Sequence, residues 1–370
     1  MRILLAPDKF KGSLTASAVA AHLAAGLRRA RPDLTTDELP VADGGEGTVE
    51  AALAAGMEEV LLTATGPLGQ PVRTRYAANE DFAVVEMAAV TGLQMVTPDE
   101  GTARRATSRG LGEVIGHALD RGATTIVVGI GGSASTDGGA GMLAALGARL
   151  SGTRDGLPDG GDALRKLTAV DLTGLHPRLD RARLVLAGDV DNPLLGPDGA
   201  AAVYGPQKGA GAAAVADLEA GLATWVDVLA QARPDAREVA AAPGAGAAGG
   251  VGFGCLLLGA GFRPGVEVVL ELARFGERVA GADLVVTGEG SLDEQSLHGK
   301  APVGVARAAA AHGSPTVAVC GRTTLSLDRA RQAGLRAVHA LTDVEADVER
   351  CIADAGPLLE RLGARIAADL

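Results

Sequence analysis

Aromatic side chains are almost missing from this 370-residue sequence, at 2% against 47% hydrophobic residues overall. A core so poor in Phe, Tyr and Trp has to be filled by Ala, Val, Leu and Ile in close helix-on-sheet contact, which favours α/β layers. Cysteine is scarce too. Cys255, Cys320 and Cys351 are odd in number and far apart, which excludes a disulfide framework or a zinc spacing and fits reduced thiols in a cytoplasmic protein. No apolar run reaches the roughly 20 residues of a membrane helix. The run Ile3–Pro7 is broken off by Asp8, Lys9 and Lys11, unlike the core of a signal peptide. A net charge of -11 and a pI near 5.1 argue against nucleic-acid binding, which needs a basic surface.

Lysine is the most telling scarcity. Of 34 basic residues only Lys9, Lys11, Lys166, Lys208 and Lys300 are Lys. Where Arg supplies charge elsewhere, a retained Lys marks a place suited to a compact, rotatable ammonium, unless it is drift on solvated loops.

What is present is a repeated unit of short apolar run, Gly-rich polar loop and Ala/Leu-rich stretch of helical period, the βα signature of parallel sheets. Strands are expected at Arg2–Ala6, Thr125–Ile130, Leu184–Ala187, Leu284–Thr287, Thr316–Cys320 and Ala337–Ala340. A helix is expected over Thr15–Arg29, capped by Ser13 or Thr15. Val72–Ala78 and Ala83–Met87, joined by a turn at Asn79–Asp81, read as an antiparallel element. The length favours two domains. We expect a discontinuous parallel-sheet domain from 1–66 and 255–370, with the middle of the chain, 67–254, inserted as a second domain.

Four polar clusters carry the chemistry. The loop Gly131–Gly139, between a strand and a helix, suits phosphate binding. Its Gly129, Gly131 and Ala134 satisfy a dinucleotide fingerprint, but Asp137 would face a pyrophosphate unless a metal intervened. A second fingerprint at Gly244, Gly246 and Gly249 has no strand before it and reads equally as close packing. Asp189, Asp191 and Asn192 follow the strand Leu184–Ala187, where α/β crevices form, although an Asx-turn before Pro193 would also explain them. Asp43 and Glu46 sit in a Gly-rich turn that could simply cap a helix. The segment Gly288–Lys300 concentrates acid, amide, hydroxyl and ammonium groups after a strand. No Walker A motif is present, since Gly299-Lys300 is followed by Ala301.

Taken together, Asp8-Lys9-Phe10-Lys11-Gly12-Ser13, Asp43-Gly44-Gly45-Glu46-Gly47, Gly131–Gly139, Asp189-Val190-Asp191-Asn192-Pro193-Leu194 and Gly288-Glu289-Gly290-Ser291-Leu292-Asp293 resemble the bacterial type I glycerate kinases, in order and over essentially the whole chain. The resemblance implies that the discontinuous domain is Rossmann- or flavodoxin-like, that the inserted one is a second α/β domain and that the active cleft lies where they meet. It also implies ATP and D-glycerate as substrates, with 2-phosphoglycerate as the expected product and 3-phosphoglycerate as the alternative.

Residue roles are assigned from chemistry. Asp191 is expected to orient or deprotonate the acceptor hydroxyl, with Lys9 and Lys300 neutralising carboxylate or transferring phosphate. Asp189 and Asp293 are expected to hold Mg²⁺. Lys11, Ser13, Asp43, Gly44, Gly45, Glu46, Gly131, Gly132, Ser133, Asp137, Asn192, Gln295 and Ser296 are expected to bind substrate or nucleotide. A homodimer is compatible with the sequence. The competing readings are a nicotinamide-dependent oxidoreductase of a small hydroxy acid, with Asp155 near the ribose-binding spacing, and a non-catalytic small-acid binding protein.

Overall fold

The computed structural model describes residues 1–152 and 156–370, so Asp155 lies outside the described residues. These residues form two compact units, Met1–Gly56 with Pro264–Leu370, and Met57–Arg263.

The first unit is built on a five-stranded sheet in the spatial order Leu335–Ala340, Thr316–Thr323, Leu284–Leu292, Arg2–Pro7, Thr35–Glu38. Every neighbouring pair in it is parallel. Numbered along this unit, the order is that of flavodoxin-like sheets, in which ligands bind where the loops after the first and third strands part to opposite faces. Here those strands are Arg2–Pro7 and Leu284–Leu292. Ile3, Leu5, Val286 and Val319 face one apolar cluster and Leu4, Ala6 and Val285 another, so alternate side chains of each buried strand serve opposite helical layers.

The helix Ala16–Ala30 starts where Thr15 accepts a hydrogen bond from the Ala18 N–H, and it ends on Arg31 before Pro32. Its buried residues Val19, Leu23 and Leu27 recur at helical spacing, and it packs on the C-terminal helix Ala355–Ala368. Gly26 sets that approach, because a Cβ there would lie 2.1 Å from the Glu360 carbonyl oxygen.

The second unit carries a six-stranded sheet in the order Gly261–Pro264, Arg183–Gly188, Thr125–Gly129, Phe82–Glu86, Pro71–Asn79, Glu58–Thr65. The central three strands run parallel; Glu58–Thr65 and Pro71–Asn79 add an antiparallel margin. The strand Glu58–Thr65 pairs along its whole length with Pro71–Asn79, and Gly261–Pro264 joins the opposite edge. Residues 57–66 and 255–263, which the sequence pattern assigns to the discontinuous domain, therefore fall in the second unit. The Glu58–Thr65 strand escapes the pattern because it is a half-exposed edge strand, and exposed edges need no apolar run. Among the described residues, no helix is long and apolar enough to cross a membrane.

Replacing Gly26 by Ala should force the two helices apart and cost roughly 1–3 kcal/mol. The loss is read as a lower urea midpoint at unchanged slope.

Candidate active site

In the first unit, functional groups gather at the carboxyl ends of the two central strands. The Asp8 N–H donates to the Gly288 carbonyl at 2.8 Å, so the N-terminal loop is fastened beside Glu289. Asp8 is 5% exposed. Its Oδ1 accepts the Lys9 N–H at 2.6 Å and lies 3.6 Å from the Lys9 ammonium. Lys9 Nζ also donates to the Glu46 carbonyl at 2.8 Å, which ties in the Asp43–Gly47 turn. That turn is held by Asp43, whose Oδ1 accepts from the Gly45 N–H, and by Thr48, whose hydroxyl donates to the Gly45 carbonyl. The following helix, Thr48–Ala54, begins on Gly47 in the left-handed conformation with no side-chain cap. Neither Asp43 nor Glu46 is therefore its cap, and Glu46 contributes its carbonyl while its side chain is exposed.

The Gly288–Lys300 segment differs from expectation. The strand does not stop at Thr287 but continues to Leu292, because its neighbour Thr316–Thr323 extends alongside, pairing Glu289 with Cys320 and Ser291 with Arg322. Glu289 thus stands on a strand, and one of its carboxylate oxygens, Oε1, is buried without a hydrogen-bond partner. Asp293 caps the next turn, accepting from the N–H groups of Gln295 at 2.9 Å and Ser296 at 3.3 Å, while the Asp293 N–H donates to the buried Ser296 hydroxyl. Lys300 precedes the helix Ala301–Ala310. Ser13 donates its hydroxyl to the Ile352 carbonyl at 2.6 Å, so it is spent on packing its loop.

Electrostatics set this cluster apart. Burial pushes the Asp8 carboxyl up to about 7, with Asp43 and Glu289 adding to the rise and Lys9 opposing it. Burial likewise pushes Glu289 up to about 7, against the Ser296 hydroxyl and Lys300 and with help from Asp43 and Asp293. Two acids poised near neutrality at a strand-end crevice form a candidate catalytic or ligand-binding site. Asp8 and Glu289 are the acids that sequence reasoning quoted in motifs but did not assign. Only burial distinguishes them from the many solvated acids of this chain.

In the second unit, three loops leave the carboxyl ends of the parallel strands. The segment Ile130–Ala134 lies against Thr91–Leu93, with the Leu93 N–H on the Gly132 carbonyl and the Ala134 N–H on the Thr91 carbonyl. Gly131 and Gly132 stay accessible while Ser133 through Gly139 are buried. Asp137 corrects the expectation of a metal- or nucleotide-facing acid. It is fully buried and accepts the Ser108 N–H and hydroxyl at 2.8 and 2.9 Å and the N–H groups of Gly139 and Gly141 at 3.1 and 3.3 Å. Those donors offset much of the upward push that burial gives it, and they make it the internal brace of the loop. Asp189 and Asp191 are exposed on the loop after Arg183–Gly188. Asn192 accepts the Tyr204 hydroxyl at 2.6 Å and donates to the Asp198 carbonyl at 2.8 Å, so it shapes this loop from within.

The second glycine fingerprint is a close-packing segment. A Cβ on Gly246 would lie 2.2 Å from the Pro193 carbonyl oxygen and one on Gly249 2.0 Å from that of Ser135. The same stretch therefore presses on both the Asp189–Pro193 and the Gly131–Gly139 loops. It turns back through left-handed Ala248, Gly249 and Gly250, a strained conformation for alanine.

A divalent cation fits the first unit through its unpartnered Glu289 oxygen and the mutually disfavoured charges of Asp8, Asp43 and Glu289. Among the described residues no three His, Cys, Asp or Glu side chains form a ready-made cage. Magnesium does not require one, since it is often held by one or two carboxylates, waters and substrate phosphates.

A sequence model of the Glycerate kinase family matches residues 3–370. A glycerate kinase of Bacillus subtilis (strain 168) is 42% identical, with all of this chain and 98% of that protein aligned. A glycerate 2-kinase of Escherichia coli (strain K12) is 41% identical over the same shares. A solved structure from Salmonella typhimurium LT2, assigned as glycerate kinase 2, superposes with a TM-score of 0.81 at 39% identity, covering 100% of this chain and 98% of that one.

Asp8 in the folded chain keeps its proton up to about pH 7, whereas unfolded it ionises near 3.8. The stability it contributes is thus full below pH 3.8 and is lost as pH rises through 7. Asp8→Asn removes that loss, so its Tm should exceed the wild-type value by several degrees at pH 8 and converge with it toward pH 4. Thermal melts across this range measure the difference.

Proposed function

The chain belongs to the glycerate kinase family, and from that premise we propose that it phosphorylates D-glycerate with ATP, at the 2-hydroxyl. The observation that carries the site is the acid pair of buried Asp8 and half-buried Glu289, beside Lys9 at the crevice between the first and third strands of a flavodoxin-order sheet. The 2-position is supported by likeness to a protein named glycerate 2-kinase.

Phosphoryl transfer asks little covalent chemistry of a protein and much positioning and charge neutralisation. Lys9, anchored on Asp8 and the Glu46 carbonyl, is held in place to neutralise anionic oxygens. Lys300, within electrostatic reach of Glu289, serves the same end. Asp8, Glu289 and Asp43 are the carboxylates suited to hold Mg²⁺, with Asp293 and Asp189 as further candidates. Bound Mg²⁺ supplies positive charge to the phosphoryl oxygens and favours ionisation of these acids. Asp191, exposed after its strand, is assigned to orient or deprotonate the acceptor hydroxyl. Gly131 and Gly132, the accessible part of the second unit's loop, offer backbone N–H groups to an anionic ligand.

The direct test is ADP release from ATP, Mg²⁺ and D-glycerate, with phosphorus NMR of the product. Formation of 2-phosphoglycerate is expected, and 3-phosphoglycerate would overturn the 2-position. Lys300→Ala should lower kcat/KM by about 10²-fold or more. Asp191→Asn should depress kcat by about 10²-fold at every Mg²⁺ concentration, whereas Glu289→Gln should be partly rescued by high Mg²⁺ or by Mn²⁺. Full kcat in Asp191→Asn at saturating substrates removes that residue from its role.

A further inference from the structure

Lys208 lies in the second unit on a short turn, Pro206–Lys208, and is the only one of the five lysines that is buried, at 2% exposure. Its ammonium donates to the Ser133 hydroxyl at 3.0 Å and to the Ser135 carbonyl at 2.5 Å. Both acceptors are neutral and both belong to the Gly131–Gly139 loop. Gly209, which closes the turn, sits so close to Asp99 that a Cβ would lie 2.3 Å from the Asp99 nitrogen, so the lysine is delivered from a fixed support.

Burying an ammonium against neutral acceptors is costly, and an apolar side chain of similar length would fill the same space more cheaply. Asp137 is the acid within electrostatic reach, but its oxygens are occupied by Ser108, Gly139 and Gly141. Burial accordingly pushes Lys208 down to about 7, with Asp137 only opposing. The hydroxyls of Ser135 and Thr136, the next groups along the loop, are also buried and without hydrogen-bond partners. The loop is therefore polar and charged beneath its surface in excess of what its own packing satisfies.

We propose that Lys208 is a positioning residue for phosphoryl transfer, fixing the Gly131–Ser135 backbone from beneath and lending positive charge to the anionic substrate oxygens that this loop receives. Those oxygens come from the ATP phosphates or from the glycerate carboxylate, and the two sources are separable by experiment. The inference rests on the glycerate kinase reading given above.

The test compares wild type, Lys208→Met and Lys208→Arg. Lys208→Met keeps length and removes charge and donors. It should raise KM at least about tenfold for one substrate, ATP or D-glycerate, and lower kcat/KM by about 10²-fold. Its Tm should stay at or above the wild-type value, because an incompletely compensated buried charge is gone. Lys208→Arg should recover part of the loss. The substrate whose KM rises identifies the anion. Wild-type KM and kcat in Lys208→Met overturn the proposal. So does a fall in activity that tracks only a lowered Tm and folded fraction, with both KM values unchanged. If wild type itself releases no ADP from Mg²⁺-ATP with D-glycerate, the glycerate kinase reading fails. Lys208 is then judged by the thermal shifts that ATP, inorganic pyrophosphate and D-glycerate each produce: loss of any one of them in Lys208→Met sustains its anion-positioning role, and shifts equal to wild type with all three overturn it.

Discussion

The parallel pairing of Arg2–Pro7 with Leu284–Leu292 is the contact on which the first unit depends. It joins the first strand to one that follows the whole second unit in sequence, register Ile3 on Leu284 through Pro7 on Gly288. Its consequence is topological before it is chemical. The loop that follows Pro7 and the strand end that carries Glu289 are forced to the same edge of the sheet, and the chain departs from them in opposite directions. The bond from the Asp8 N–H to the Gly288 carbonyl continues this pairing past the strand, so the acids inherit the order of the ladder. A close loop closure of this length is entropically expensive. The buried apolar strands on both faces of the sheet offset it.

Burial then does what composition cannot. This chain carries 45 acidic residues, most of them on solvated surfaces or in ion pairs with Arg. Asp8 and Glu289 differ because water is withdrawn from them and because Asp43 lies within reach of both. A carboxyl near neutrality exchanges its proton for a cation readily. The same logic with inverted sign governs Lys208, a cation kept under a loop whose own acceptors are neutral.

In the second unit, glycine serves two separate purposes that look alike in the sequence. Gly131 and Gly132 are accessible backbone at the mouth of a strand-end loop. Gly246 and Gly249 are present because carbonyl oxygens of the two neighbouring loops come within about 2 Å of where a side chain would begin. Two fingerprints of similar spacing thus divide into a surface and a support, and only the packing separates them.

By itself the sequence determined the α/β class, most strands, the first helix at Thr15–Arg29, the strand-end placement of the polar motifs and, through five motifs in order, the family. Those features are local: they follow from apolar period, turn residues and caps such as Thr15. It left the half-exposed edge strand Glu58–Thr65 illegible, since exposed edges carry no apolar signature. It ended one strand at Thr287, because the continuation to Leu292 is stabilised by a neighbour some thirty residues on. Asp137 and Asn192, expected from the sequence to bind ligands, have polar atoms engaged by Ser108 and Tyr204 and by nearer groups of their own loops, engagements that only the folded loop reveals. The tertiary structure alone decided which acids and which lysine lose their water. Desolvation depends on everything that surrounds a group, and those surroundings are assembled from segments that the linear order keeps apart.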